Sequence, residues 1–505
     1  MRRLITSALT LVVGSDVALA DDPPPTPPPD PPTAPAGDAA PADVTPTDDA
    51  TSTTAPAEIP LPEPPPSPDS AAAVRGAPRP GNESGRVDAE DGESVLRQVG
   101  RGALFIPRAA FEIALSPVRG GLWAYDRYQL GERWMQWFFN DERTIGVYPT
   151  VFLDSGFGFT GGGRFVWRDI FGEQEHFSLR ASTGGQYWTA IRGSAHTGNR
   201  FGRVEFELRG EYEERPKDRF FGIGNRDETD TIPAMTIDPL TDPTAIDTRY
   251  RQQMMRTSLE ADVRLVSDLH LRAAGALTDV EFGSSDYGNA SIEEVYMTDQ
   301  LVGFEGVRHA YGELELAWDS RGRYTRWEPS SLDSIGWLAS IYAGREAVED
   351  LPDFWRVGGD AQYYLRIGTG PRVITARVRA EAVSGSIEEV PFDELPKLGG
   401  TKYLRGYETD RFRDRAAALG TIEYRWDLAW FLMANLFVDA GRVAPSVGDL
   451  TSEGDLRVGY GIGLDAYTER YFVARVNLAS SVDGGVFLNL SFDPAYDLDP
   501  RVERR

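Results

Sequence analysis

The chain has 505 residues, with 78 acidic against 52 basic, a net charge of −26 and no cysteine. That charge excludes non-specific nucleic-acid binding, which needs a basic surface to displace counterions from phosphates. The missing cysteine excludes disulfides and a lipoprotein attachment point. No run of about 18 apolar residues occurs, so helical membrane spans are excluded and a closed β-barrel is the remaining way across a bilayer.

Residues 1–20 read as a secretory signal peptide: Arg2 and Arg3 lead, a mostly apolar stretch follows, and Ala18-Leu19-Ala20 offers small cleavage-site residues. Residues 21–92 read as a disordered Pro-rich periplasmic tether, because residues 21–80 hold 20 of the chain's 35 prolines and almost no large apolar side chain. Such a tract buries too little surface to offset its ordering entropy. Deleting residues 22–80 is therefore expected to leave the barrel's heat-modifiable gel mobility intact, and loss of that mobility would show the tract to be structural. Across residues 93–144, Leu96, Leu104, Phe111, Leu115, Leu122, Trp123, Leu130, Trp134 and Trp137 recur at roughly helical spacing, divided by Pro107 and Pro117 into short periplasmic helices. Their aromatics either pack under a barrel mouth or lie in the membrane interface; packing is the commoner fate.

From residue 145 to residue 492 the period becomes two. Val204-Glu205-Phe206-Glu207-Leu208-Arg209 alternates apolar with charged, Leu314, Leu316 and Trp318 oppose Glu313 and Glu315, and Ala376, Val378 and Ala380 oppose Arg377, Arg379 and Glu381. One apolar and one charged face per strand predicts an all-β fold, a 16-stranded antiparallel transmembrane β-barrel, although a soluble sandwich gives the same alternation. Strands are expected to start near residues 149, 162, 176, 186, 203, 252, 269, 309, 336, 358, 372, 419, 431, 456, 471 and 485. The four longest gaps, residues 215–250, 283–308, 321–336 and 384–418, are expected as extracellular loops. Trp167, Trp188, Trp318 and Trp337 near strand ends suit an interfacial belt. The last strand, Val486-Phe487-Leu488-Asn489-Leu490-Ser491-Phe492, precedes a tail at residues 493–505.

No catalytic constellation or cofactor motif stands out. His176, His196, His270 and His309 are scattered and lack ligand partners at metal-site spacing, so they read as wall or loop residues and no metal is expected. Gly459, Gly461 and Gly463 alternate on one strand face and leave room inside the barrel. The informative stretch is Leu398-Gly399-Gly400-Thr401-Lys402-Tyr403-Leu404-Arg405-Gly406-Tyr407, followed by Arg411-Phe412-Arg413-Asp414. Alternation sets Glu423 and Asp439 on the polar faces of the next two strands, within reach of a loop carrying Arg405. A confined guanidinium needs such carboxylates. Gly406 permits a turn of positive φ, and Gly399 and Gly400 read as a flexing loop base.

This layout resembles the BamA/TamA outer-membrane assembly superfamily, the bacterial surface antigen family, where an Arg-Gly-aromatic loop tip folds into the barrel and pairs with wall carboxylates. Phe220-Phe221-Gly222-Ile223-Gly224-Asn225 and Asp319-Ser320-Arg321 add to the likeness. Residues 93–144 are too few for the periplasmic POTRA array that the family usually carries. The resemblance implies a non-enzymatic protein of the Gram-negative outer membrane that inserts or exports other proteins, with membrane lipids and unfolded outer-membrane or secreted proteins as partners. It also implies Arg405, Gly406, Tyr407, Glu423 and Asp439 as the lock of an inserted loop spanning residues 384–418. A weakly paired seam would join the first strand (Val151, Leu153, Gly156, Gly158) to the last (Leu488, Leu490, Phe492), since an unpaired edge is a template for an incoming strand. The alternative is a channel or structural barrel without assembly activity.

Overall fold

The computed structural model describes residues 127, 133, 136–154, 158–288, 290–321, 335–368, 372–429, 432–452, 454–467 and 472–491. The expected signal peptide and Pro-rich tether, most of the 93–144 segment and residues 493–505 lie outside the described residues. No described helix is long and apolar enough to cross a membrane.

Sixteen strands form one sheet in sequence order, every neighbouring pair antiparallel. They are β1 (Ile145–Asp154), β2 (Gly158–Arg168), β3 (His176–Gly184), β4 (Tyr187–His196), β5 (Val204–Phe220), β6 (Thr248–Val266), β7 (Leu269–Ser284) and β8 (Val307–Asp319). The second half holds β9 (Gly336–Val348), β10 (Phe354–Arg366), β11 (Arg372–Val383), β12 (Ala416–Ala429), β13 (Leu432–Ala444), β14 (Arg457–Tyr467), β15 (Phe472–Ser481) and β16 (Gly484–Ser491). Each begins within four residues of its expected start. The strand count is even, as in bacterial single-chain barrels.

Burial decides between sandwich and membrane barrel, because the pattern is inside out. In β8, Leu314 is 59% exposed while Glu315 is 2% exposed. In β11, Val378 is 65% exposed and its neighbour Arg377 only 4%. A water-soluble sheet would hide the valine and expose the arginine; a barrel in lipid does the reverse. The hidden charges are paired across strands: Arg377 grips Asp360, and Arg272 reaches both Asp262 and Glu315. Trp167, Trp188, Trp318, Trp337 and Trp355 are exposed near strand ends, where an aromatic ring spans the boundary between apolar and polar surroundings.

Strand alternation sends consecutive connections to opposite ends. The long connections after β5, β7 and β11 share one end, but β8 ends and β9 begins at the other, and most of the 321–336 gap between them lies outside the described residues. This corrects the expectation that all four long gaps lie together: length suggested a loop face, and strand parity overrules it. The loop-rich end is capped by an apolar cluster in which Phe392, from the 384–415 loop, packs 4.8 Å from Phe282 and 5.7 Å from Tyr250, ring to ring. Phe220, Phe304 and Ile292, the last in a helical turn closed by a Ser291 and Glu294 capping box, complete it.

The sheet's edges are β1 and β16. Among the described residues no ladder joins them, although their Cα atoms approach within 8 Å. β1 pairs with β2, with Val151 opposite Gly161 and Leu153 opposite Phe159. The expected seam needs correction here. Gly158 opens β2, opposite Asp154, because its φ of +98° suits the end of a hairpin turn rather than an edge strand. Gly156 and Phe492 lie outside the described residues. On β16, Leu488 and Leu490 pair with Leu478 and Val476, and Leu488 is exposed on the outer face.

Candidate functional site

The connection from β11 to β12 folds back into the sheet's polar side. Within it, Lys397–Leu398 and Phe412–Arg413 form a short antiparallel ladder. Gly399 and Gly400 follow at φ of +122° and +84°. Their amides bond Tyr403 O at 2.6 Å and Tyr407 O at 3.1 Å. A Cβ on Gly399 would stand 2.0 Å from Glu408 O. The pair therefore makes a closed turn in the loop's interior, not the flexing base expected for it; the loop roots at Val383, whose amide bonds Arg415 O.

At the tip, Leu404 takes a φ of +68° and Gly406 one of +97°, and Arg405 projects between them, 1% exposed. Its Nη1 donates to Glu423 Oε2 at 2.7 Å. Its Nε and Nη2 donate to the two oxygens of Asp439 at 2.8 and 2.9 Å, and its backbone amide adds a fourth bond at 2.9 Å. Thr421 Oγ1 also donates to Asp439, at 2.9 Å. The guanidinium lies 3.5 Å from the centre of the Phe437 ring, a cation–π contact. Bidentate pairing of this kind fixes the plane of the guanidinium as well as its position. Glu423 and Asp439 come from β12 and β13, both facing inward as their alternation predicts.

Bare backbone makes room for the tip. A Cβ on Gly459 would lie 1.7 Å from Arg405 O, and one on Gly406 would lie 2.3 Å from Ser480 O. Further along the same face the space goes elsewhere: a Cβ on Gly461 would meet Phe437 at 2.6 Å, and one on Gly463 would meet Asn477 at 2.0 Å. Tyr407 donates to Asp483 Oδ2 at 2.7 Å, and Arg457 holds the same carboxylate at 2.9 Å. Burial and the neighbouring Asp483 carboxylate push the Tyr407 phenol up to about 12, so it stays a donor at neutral pH.

Residues 313–481, which contain the inserted loop and both lock strands, match the Omp85 superfamily domain. An Omp85 superfamily domain thus occupies this stretch of the chain. Among solved structures, BamA from Haemophilus ducreyi lacking POTRA domains 1–3 is 14% identical at a TM-score of 0.51, covering 69% of this chain and 70% of that one. CdiB from Acinetobacter baumannii is 10% identical at a TM-score of 0.40, covering 68% of this chain and 58% of that chain. CdiB from Escherichia coli is 12% identical at 0.41, covering 69% and 61%. This chain thus spans less than two thirds of either CdiB chain. No curated protein sequence matches it.

The cluster around Arg405 has members beyond those read from the sequence. Arg425 Nε donates to Glu423 Oε1, and Arg475 stands 3.7 Å from that oxygen while pairing with Asp465. Three guanidiniums thus face three carboxylates. Strand parity carried the signal, since Arg425 lies two residues beyond Glu423 and Asp465 two beyond Gly463. Two further loop arginines brace the base. Arg413 lies 5.0 Å from the Phe220 ring centre, and Arg411 lies 4.9 Å from that of Phe221 and bonds Glu228. The Phe220-Phe221-Gly222-Ile223-Gly224-Asn225 motif is therefore the loop's seat: Gly224 N bonds Arg413 O at 2.8 Å, and Asn225 O accepts from Arg457 at 2.7 Å. Asp319 and Arg321 pair with each other at the far end. Tyr403 rests on Arg379, 4.3 Å from its ring centre.

Proposed function

We propose that this chain is a barrel of the Gram-negative outer membrane that inserts or exports other proteins, with the inserted loop held by Arg405 and the edge between β1 and β16 serving as the place where a client strand enters. The single observation that carries this reading is the Omp85 domain match over the stretch where Arg405 is locked by Glu423 and Asp439. An edge without a ladder adds support, because unpaired N–H and C=O groups template an added strand. In this reading the lock keeps the loop in one geometry, as a fully satisfied polar network does, and the loop fills the interior while the client pairs at the seam. An open channel fits less well, since the loop and the Phe392 cap occupy the loop-rich end. With the signal peptide entering from the periplasm, that end faces outward and the residues before β1 remain in the periplasm.

Fractionation tests the location. The protein is expected in the outer-membrane fraction, cleaved after Ala20, and heat-modifiable on gels; recovery as a soluble periplasmic protein would overturn it. Depletion tests the activity: the inventory of outer-membrane or secreted proteins is expected to lose specific members. An unchanged inventory, with ion conductance from the purified barrel, would favour the channel.

A further inference from the structure

Away from the Arg405 lock, the inserted loop meets another part of the wall, where His309 of β8 and Glu346 of β9 stand beside its own Glu394. All three are buried, and one ligand atom from each lies within 4.8 Å of the other two. We propose that these residues form a divalent transition-metal site that fastens the loop to the wall, with Zn2+ as its representative ion.

The two imidazole nitrogens have different surroundings. Nδ1 contacts the Glu346 carboxylate, which fixes the tautomer and turns the ring. Nε2 faces Glu394 Oε1 across 3.7 Å. That gap is too long for a direct hydrogen bond. It suits two ligands of one ion, since zinc ligands at about 2.0–2.2 Å in tetrahedral array stand roughly 3.4 Å apart. A carboxylate behind the histidine is the arrangement that orients metal-binding imidazoles and raises their basicity. Arg356 holds Glu394 from its other side, through Oε2 at 2.7 Å and the backbone O at 2.6 Å, and so leaves Oε1 aimed at His309. Glu381 binds Arg356 and Arg379 in turn; Asp393, Lys397 and Arg413 are the other charged groups nearby. An imidazole with carboxylates favours zinc-like ions over Ca2+ or Mg2+, which prefer all-oxygen sets. The two ligands and the orienting carboxylate come from positions 309, 394 and 346, so no local spacing motif exists to betray them.

The full chain, folded in detergent and stripped with a chelator, is titrated with Zn2+ by calorimetry. About one equivalent is expected, with water completing the coordination, absent in His309→Ala and weakened about 10–100-fold in Glu346→Gln. Zinc is also expected to slow tryptic cleavage within residues 384–415, and to have no such effect in His309→Ala. That variant's heat-modifiable mobility verifies that it folds. Absence of binding, equal binding in His309→Ala, or loop protection that follows pH alone and ignores zinc would each overturn the site. None of these outcomes touches the assembly reading, which is tested without added metal.

Discussion

Arg405→Ala is expected to free the inserted loop and remove most of the protein's activity while the barrel still forms. Breaking a buried ion pair by removing one partner costs roughly 3–5 kcal/mol, and here one side chain serves two carboxylates. The damage is uneven. Glu423 keeps Arg425 and Arg475 beside it, whereas Asp439 loses the two side-chain bonds from Arg405 and retains only the backbone amide of residue 405 and the hydroxyl of Thr421. Asp439→Asn should therefore relieve the Arg405→Ala defect more than Glu423→Gln does, and the Arg405→Ala/Asp439→Asn pair should cost less than the sum of its parts. Arg405→Lys should rescue only partly, since an ammonium lacks the planar fork that engages both acids. Tryptic cleavage of residues 384–415 reads loop release, and strict additivity with wild-type protection would mean that the three residues are not one cluster.

Gly459→Val is expected to expel the loop tip from the other direction. Its first added carbon would stand 1.7 Å from Arg405 O, and that oxygen belongs to backbone, so no rotamer change relieves the clash. The loop must withdraw, giving up the Glu423 and Asp439 bonds at once. β14 itself is unharmed in principle, because valine suits a strand. Protease sensitivity should equal that of Arg405→Ala, and combining the two should add little. By contrast, Gly463→Val would meet the Asn435 and Asn477 side chains and should perturb the wall without releasing the tip. A Gly459→Val barrel with a protease-resistant loop would show that the tip does not press on this strand.

The barrel was legible because lipid and lumen impose opposite demands on successive residues. Leu314 and Glu315 state their faces in the sequence, and sixteen such strands can be counted. Alternation alone did not say which face was outside; the buried Glu315 beside the exposed Leu314 does. The contacts of Arg405 with Glu423 and Asp439 were legible because a confined guanidinium demands carboxylates and strand parity set both inward. What escaped is long-range or conformational. Nothing near Gly158 shows that the first turn comes so early that it belongs to β2. Gly399 and Gly400 read as flexible because glycine permits many conformations, yet Glu408 O pressed against Gly399 holds one of them. The seating of Arg411 and Arg413 on Phe221 and Phe220 joins segments almost two hundred residues apart, which no local pattern announces.

The seam between β1 and β16 is the account's central claim, and disulfide locking tests it most directly. The natural chain contains no cysteine, so a panel of cysteine pairs, one in Ile145–Asp154 and one in Gly484–Ser491, reports without background. Cells relying on a pair that oxidises should lose assembled outer-membrane or secreted clients while the locked barrel itself stays folded and heat-modifiable, and a reductant should restore them. Undiminished client assembly with the seam quantitatively crosslinked would contradict the account.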